Sequence, residues 1–209
     1  MNLQTVLARM PLIAILRGIT PKDSVAVAQA LVDEGFLCIE IPTNSPDYST
    51  SITHVHAAFG DRCLIGAGTV VNHTHLDALV RTGGILMVSP NVNVDLIRAA
   101  KSRGLVCAPG CFTPTEAYAA IEAGADALKF FPADVLTPAG LRGIKTILPP
   151  SIPVMAVGGI TLDNLAAYRH AGVDGVGLGS CLYKPGDTAA VVTARARAFV
   201  KAWNKSPSA

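Results

Sequence analysis

Thr113-Pro114-Thr115-Glu116-Ala117-Tyr118-Ala119-Ala120-Ile121-Glu122-Ala123-Gly124-Ala125-Asp126-Ala127-Leu128-Lys129-Phe130-Phe131-Pro132 contains the unit from which the chain is built. A threonine before proline, with glutamate following at Glu116, marks the start of a helix. Gly124 marks its end, because glycine closes a helix in the left-handed conformation without a Cβ clash. The apolar run 127–131 is too short for a helix and reads as a strand. Working outward, further apolar runs occupy 12–16, 37–41, 63–66, 85–88, 105–108, 154–157 and 175–178. Helix-like segments begin between them near Pro21, Tyr48, Asn72, Val94, Thr115, Pro138, Thr161 and Asp187. Thr20-Pro21 and Thr137-Pro138 repeat the start signal, and Glu34-Gly35, Arg103-Gly104 and Ala171-Gly172 repeat the stop signal. Glu122-Ala123-Gly124-Ala125 and His170-Ala171-Gly172-Val173 stand alike before strands, either as a recurring unit or through the shared demands of helix-to-strand turns.

Strands buried on both faces, each followed by a helix, require parallel pairing with right-handed crossovers. Eight such units predict a single (β/α)8 TIM barrel, and the absence of a Pro/Gly/Ser-rich linker makes residues 1–209 one domain. An open Rossmann-like sheet would carry GxGxxG after the first strand; Arg17-Gly18-Ile19-Thr20 stands there instead.

Composition narrows the function. Lys plus Arg number 17 against 15 Asp plus Glu, without a basic run, so neither nucleic acid nor an acidic membrane surface has a field to recognise. Five cysteines, an odd number set mostly in apolar runs, read as reduced thiols of a cytoplasmic protein. No stretch approaches the roughly 18 apolar residues of a membrane span, and no signal peptide is evident.

In such a barrel the reacting groups lie at the C-terminal ends of the strands. Lys129 is embedded in an apolar strand, followed by two aromatics and a proline. Burial of an unpaired ammonium lowers its pKa, which yields the partly neutral amine that a Schiff-base nucleophile needs. A lysine snorkelling from a strand end, or paired with a carboxylate, would look similar. Glu40 shares a strand face with Cys38, while Leu37, Ile39 and Ile41 form the other, so the carboxylate points into the barrel. There it is a structural ion-pair partner or a general acid/base. Gly158-Gly159 and Gly179-Ser180 follow the seventh and eighth strands, where backbone N–H groups can cradle phosphate. Arg17 adds a cation for phosphate or carboxylate, or else is an exposed turn residue. His54, His56, His73 and His75 fall on helices or turns at spacings that do not share a face, so we expect a solvated surface and no metal site.

Leu12-Ile13-Ala14-Ile15-Leu16-Arg17-Gly18, Gly35-Phe36 through Glu40-Ile41-Pro42, Ile65-Gly66-Ala67-Gly68-Thr69-Val70 and Ala127-Leu128-Lys129-Phe130-Phe131-Pro132-Ala133 together resemble the KDPG/KDPGal class I aldolase family over about residues 10 to 203. The resemblance implies Lys129 as imine former and Glu40 as general acid/base. It also implies Arg17, Thr69 and Pro90 along the carboxylate and sugar chain, and phosphate at Gly158, Gly159, Gly179 and Ser180. Such enzymes release pyruvate and glyceraldehyde 3-phosphate from a phosphorylated 2-keto-3-deoxy sugar acid, use no cofactor or metal, and are homotrimers. Pro42-Thr43-Asn44-Ser45-Pro46 after Glu40, and Val157 where the gluconate branch tends to have threonine, resemble the galactonate branch. The alternatives are the gluconate epimer with the same mechanism, a phosphate-barrel isomerase in which Glu40 abstracts a proton without an imine, and a non-catalytic sugar-phosphate binder.

Overall fold

The computed structural model describes residues 3–205. Its strands are β1 (Leu12–Ile15), β2 (Cys38–Pro42), β3 (Leu64–Gly68), β4 (Leu86–Val88), β5 (Val106–Ala108), β6 (Gly110–Cys111), β7 (Leu128–Phe130), β8 (Val154–Val157) and β9 (Gly175–Leu178). They pair in parallel in the order β5-β4-β3-β2-β1-β9-β8-β7-β6. The two end strands are consecutive in the chain, separated only by Pro109, and this closes the barrel. Cys107, Pro109 and Cys111 offer their carbonyls in turn to the N–H groups of Ala127, Lys129 and Phe131, at 3.3, 3.0 and 3.1 Å. The fifth barrel strand therefore runs on through Pro109, past the end expected at residue 108.

Between the strands lie α2 (Pro21–Asp33), α3 (Tyr48–Phe59), α4 (His73–Arg81), α5 (Val94–Ser102), α6 (Pro114–Glu122), α7 (Ala133–Lys145) and α8 (Leu165–His170), and α9 (Ala189–Lys205) closes the ring. Thr113 and Glu116 form the full capping box at α6. Thr20 stands at the N-cap of α2 but gives no side-chain cap; its hydroxyl donates to Asp23. A helical turn from Ala133 precedes the helix expected from Pro138, and the two are divided at Thr137, whose φ of 67° is non-helical and whose hydroxyl accepts the Gly140 N–H at 3.3 Å, as the expected cap. The expected stop glycines, Gly35, Gly104, Gly124 and Gly172, all have positive φ. The two similar helix-to-strand turns also share a staple. Asp126 accepts from Lys101 at 2.6 Å and from the Cys107 N–H at 2.7 Å; Asp174 accepts from Lys145 at 2.7 Å and from the Val154 N–H at 2.8 Å.

Strand alternation divides the apolar residues into two cores. Leu12, Ala14, Ile39, Ile41, Ile65, Leu128, Phe130 and Val176 point outward against the helices. Ile13, Cys38, Leu64, Leu86, Ala127 and Met155 point inward and fill the lower barrel. Its N-terminal end is plugged by α1 (Leu3–Arg9), a helix not anticipated from the sequence, which buries Leu3, Val6 and Leu7 in that inner core. Gly175 makes room for it: a Cβ there would lie 2.7 Å from Leu7 Cδ2. Water is thus kept from one end of the barrel, and the opposite end is left for chemistry. Leu7→Ala should lower unfolding stability by about 2–5 kcal/mol, as for other buried leucine truncations. Denaturant unfolding checks this, and an unchanged midpoint would show that α1 is not a plug.

Candidate active site

Glu40 on β2 and Lys129 on β7 stand across the barrel from each other, four strand steps apart by either route (β2-β1-β9-β8-β7, or β2-β3-β4-β5/β6-β7). Each follows an inward-facing residue of the inner core, Cys38 or Ala127, at the two-residue period of a strand. Lys129 Nζ and Glu40 Oε1 approach to 4.0 Å, with the side chains 8% and 3% exposed. That is longer than a charge-assisted hydrogen bond, so the pair is electrostatically coupled without sharing a proton. Burial pushes the Lys129 amine below the ordinary lysine range, against the field of Glu40, and Arg17 adds to the lowering. Burial likewise pushes the Glu40 carboxyl up, opposed by Lys129 and Arg17. Each group is drawn towards its neutral form. Lys129 Nζ also lies 5.3 Å from the centroid of the Phe131 ring, which is 38% exposed at the barrel mouth.

Gly68 determines where the glutamate head can sit. A Cβ on Gly68 would lie 1.9 Å from Glu40 Oε2 and 2.7 Å from its carboxyl carbon. Oε2 is buried and has no hydrogen-bond partner, so it is available to a ligand. Sequence reading places Gly68 at a strand end where reacting groups lie but gives it no role, since the room it leaves for Glu40 depends on a neighbouring strand.

Thr69 follows with φ 59°, the left-handed region, which is costly for a β-branched residue. Such strain, on the order of 1–3 kcal/mol, persists where the surroundings enforce it. The Gly68 carbonyl accepts the Thr43 N–H at 2.8 Å, and the Thr69 carbonyl accepts the Thr43 hydroxyl at 2.8 Å. Among the described residues no protein acceptor takes the Thr69 N–H. On the adjoining loop Arg17 Nη1 donates to Asn44 Oδ1 at 2.6 Å, and the Gly18 N–H donates to Ser45 Oγ at 2.9 Å. Neither Thr43 nor Asn44 was singled out as a site residue by the sequence; loop-to-loop partners carry no periodic signal.

The glycine pairs lie where expected. Gly158 and Gly159 have φ of 97° and 69°, and a Cβ on Gly159 would meet Asp134 Cβ at 2.4 Å. The turn therefore crosses closely over the start of α7, just beyond Lys129 and Phe131. The Gly179 carbonyl accepts from Leu182 and Tyr183, curling the chain after β9 into a short turn. Among the described residues the N–H groups of Gly159 and Ser180 reach no protein acceptor. Val157 is buried with its methyl groups against Gly177, where a Cβ would lie 2.8 Å from Val157 Cγ2. Pro90, after β4, packs its backbone against Gly110. Among the described residues no three His, Cys, Asp or Glu side chains cluster so as to hold a metal ion. His54 and His73 are exposed, but the expectation of solvated histidines fails for His56. It is half-buried between Gly60 and Gly83, its Nδ1 buried without a partner.

The opposed amine and carboxyl and the glycine turns at adjacent strand ends share the open end of the barrel. The family model described as "KDPG and KHG aldolase" matches residues 3–193, and the chain belongs to that family of class I aldolases. It is 48% identical over 198 residues to 2-dehydro-3-deoxy-6-phosphogalactonate aldolase of Escherichia coli (strain K12), covering 95% of this chain and 97% of the relative. It is 50% identical over 194 residues to the probable 2-dehydro-3-deoxy-6-phosphogalactonate aldolase of Rhizobium meliloti (strain 1021), covering 93% and 92%. A solved structure described as native KDPGal superposes with a TM-score of 0.94 at 47% identity, covering 99% of this chain and 98% of the other.

Two outcomes are expected of the pair. In Glu40→Gln the anion that raises the Lys129 pKa is gone, so the Lys129 titration moves further below 10.5. NMR titration of its 15Nζ reads this, and a midpoint that rises or stays would show the two groups uncoupled. Gly68→Ala should displace the Glu40 carboxyl and lower aldol-cleavage turnover by on the order of 10²-fold, as a misplacement of about 1 Å can. Native turnover in that variant would remove Gly68 from the site.

Proposed function

We propose that this chain, acting as one domain over residues 1–209, cleaves 2-dehydro-3-deoxy-6-phospho-D-galactonate to pyruvate and D-glyceraldehyde 3-phosphate through an imine on Lys129. The observation that carries the mechanism is the buried 4.0 Å approach of Lys129 to Glu40, with both groups pushed towards neutrality. The neutral amine attacks the C2 ketone, and protonated Glu40 gives its proton to the carbinolamine hydroxyl, which leaves as water. The Glu40 carboxylate then takes the C4 hydroxyl proton. The C3–C4 bond breaks, its electron pair flows to the iminium, and glyceraldehyde 3-phosphate departs. Glu40 returns the proton to C3 of the enamine, and hydrolysis frees pyruvate and the amine. One carboxyl can serve every transfer because it gives up a proton in one step and takes one back in the next, and burial raises its pKa towards the form that holds the proton.

Arg17, Thr69 and Pro90 would take the carboxylate and sugar chain. Gly158, Gly159, Gly179 and Ser180 would take the phosphate, for which the free N–H groups of Gly159 and Ser180 are suited. Val157 would face the sugar carbons. The galactonate epimer is favoured by the two relatives at 48% and 50% identity that bear its name. The cycle needs no metal or cofactor. Five free thiols suit a cytoplasmic location, and among the described residues no helix is long and apolar enough to cross a membrane. A homotrimer is proposed from the family resemblance.

Borohydride added with pyruvate should leave a reduced pyruvyl adduct on the native protein and none on Lys129→Ala, as read by intact mass. An adduct-free native protein would point to an isomerase-type barrel. In paired assays kcat/KM for the galactonate substrate should exceed that for the gluconate epimer by at least about tenfold, or 1.4 kcal/mol. Equal values would defeat the epimer assignment and leave the aldolase standing.

A further inference from the structure

Three consecutive residues after β2 each grip a different neighbour. The Thr43 hydroxyl donates to the Thr69 carbonyl at 2.8 Å while its N–H donates to the Gly68 carbonyl at 2.8 Å. Asn44 Oδ1 accepts from Arg17 at 2.6 Å, and the buried Ser45 Oγ accepts from the Gly18 N–H at 2.9 Å. These contacts tie together the chain segments leaving β1, β2 and β3, the middle one of which carries Glu40.

We propose that Thr43-Asn44-Ser45 is a positioning clasp that aims Thr69 and Arg17 at the carboxylate end of the substrate. In a trans peptide the C=O and N–H point in opposite directions. Tying the Gly68 carbonyl to Thr43 therefore turns the Thr69 N–H away from the β2 loop, and that N–H meets no protein acceptor among the described residues. The second hydrogen bond, to the Thr69 carbonyl, fixes the next peptide plane and holds Thr69 at its positive φ. Arg17 is otherwise an exposed side chain with many rotamers, and Asn44 restricts it without adding a negative charge that would compete with the ligand. Thr43 and Asn44 act through Thr69 and Arg17, so they are positioning residues. The proposal rests on the assignment of Arg17 and Thr69 to the substrate carboxylate made above.

The test pairs Thr43→Val, which keeps the side-chain shape and loses the hydroxyl, with Thr43→Ser, which keeps the hydroxyl. Asn44→Ala provides a second route should Thr43→Val not fold, and Arg17→Gln reports on the underlying assignment. For each, KM and kcat are measured with the galactonate substrate, together with the pyruvate concentration giving half-maximal borohydride trapping. Loss of one neutral hydrogen bond should raise both concentrations about three- to tenfold in Thr43→Val and Asn44→Ala. Because the lost interaction acts on binding, kcat should stay within about twofold, and Thr43→Ser should behave as the native protein. If Arg17→Gln raises both concentrations while Thr43→Val and Asn44→Ala leave them unchanged, the clasp is overturned and the carboxylate assignment stands. If Arg17→Gln also leaves both unchanged, the carboxylate assignment falls and the clasp with it. A defect that Thr43→Ser does not restore would mean a merely structural role and would overturn the proposal.

Discussion

Lys129 and Glu40 stand 4.0 Å apart with both side chains almost wholly buried. At that separation, with an effective dielectric constant near 20, the attraction of two unit charges is worth about 4 kcal/mol. Removing two ions from water costs several kcal/mol each. Desolvation therefore outweighs attraction, and both groups are pushed towards neutrality, as the directions of their shifts indicate. Two apolar residues would hold this part of the barrel together at least as well. The pair is a poor device for stability and a good one for moving a proton and attacking a carbonyl.

The rest of the interior is graded around that pair. Below it, Ile13, Leu64, Leu86, Met155 and the three buried residues of α1 pack the barrel solid. Level with it and above, inward positions on β3 and β9 are taken by Gly66, Gly68 and Gly177, where even a methyl group would overlap Leu86, Glu40 or Val157. The same alternation of side chains thus builds a closed floor and an open ceiling. The cost of the ceiling glycines, lost side-chain packing, is offset by the apolar layer outside the strands.

The strand and helix pattern, the stop glycines and the inward direction of Glu40 were legible because each follows from a local rule: a period of two, a period of 3.6, or a forced positive φ. What was not legible depends on contacts between elements. The fifth strand passes through Pro109 because its carbonyl, unlike its missing N–H, can still serve β7. α1 is a helix whose purpose exists only once the barrel end it covers has formed. His56 looked like a surface residue because the glycines that enclose it, Gly60 and Gly83, lie outside its own helix. Gly68 and Thr43 are inconspicuous for the same reason, since one leaves space for a side chain on another strand and the other bonds the carbonyls of another loop.

The choice between sugar epimers cannot be made at the imine. The two substrates differ in configuration at C4, whose hydroxyl proton Glu40 would take in the proposed cycle, and imine formation at C2 is indifferent to that centre. Discrimination would then depend on how C4 is held against Glu40 and on what surrounds the sugar carbons, where under the proposed assignment Val157, whose methyl groups lie against Gly177, would form an apolar wall. An apolar wall separates related substrates by about 10- to 200-fold, whereas a site that hydrogen-bonds a hydroxyl can reject its absence by about 10⁴-fold or more. With valine in that place, selectivity would come from leaving the wrong hydroxyl unsolvated against the wall. A threonine would instead offer either orientation a partner. The expected preference is therefore real but bounded, and any larger value would require a polar group from the loops to join Val157.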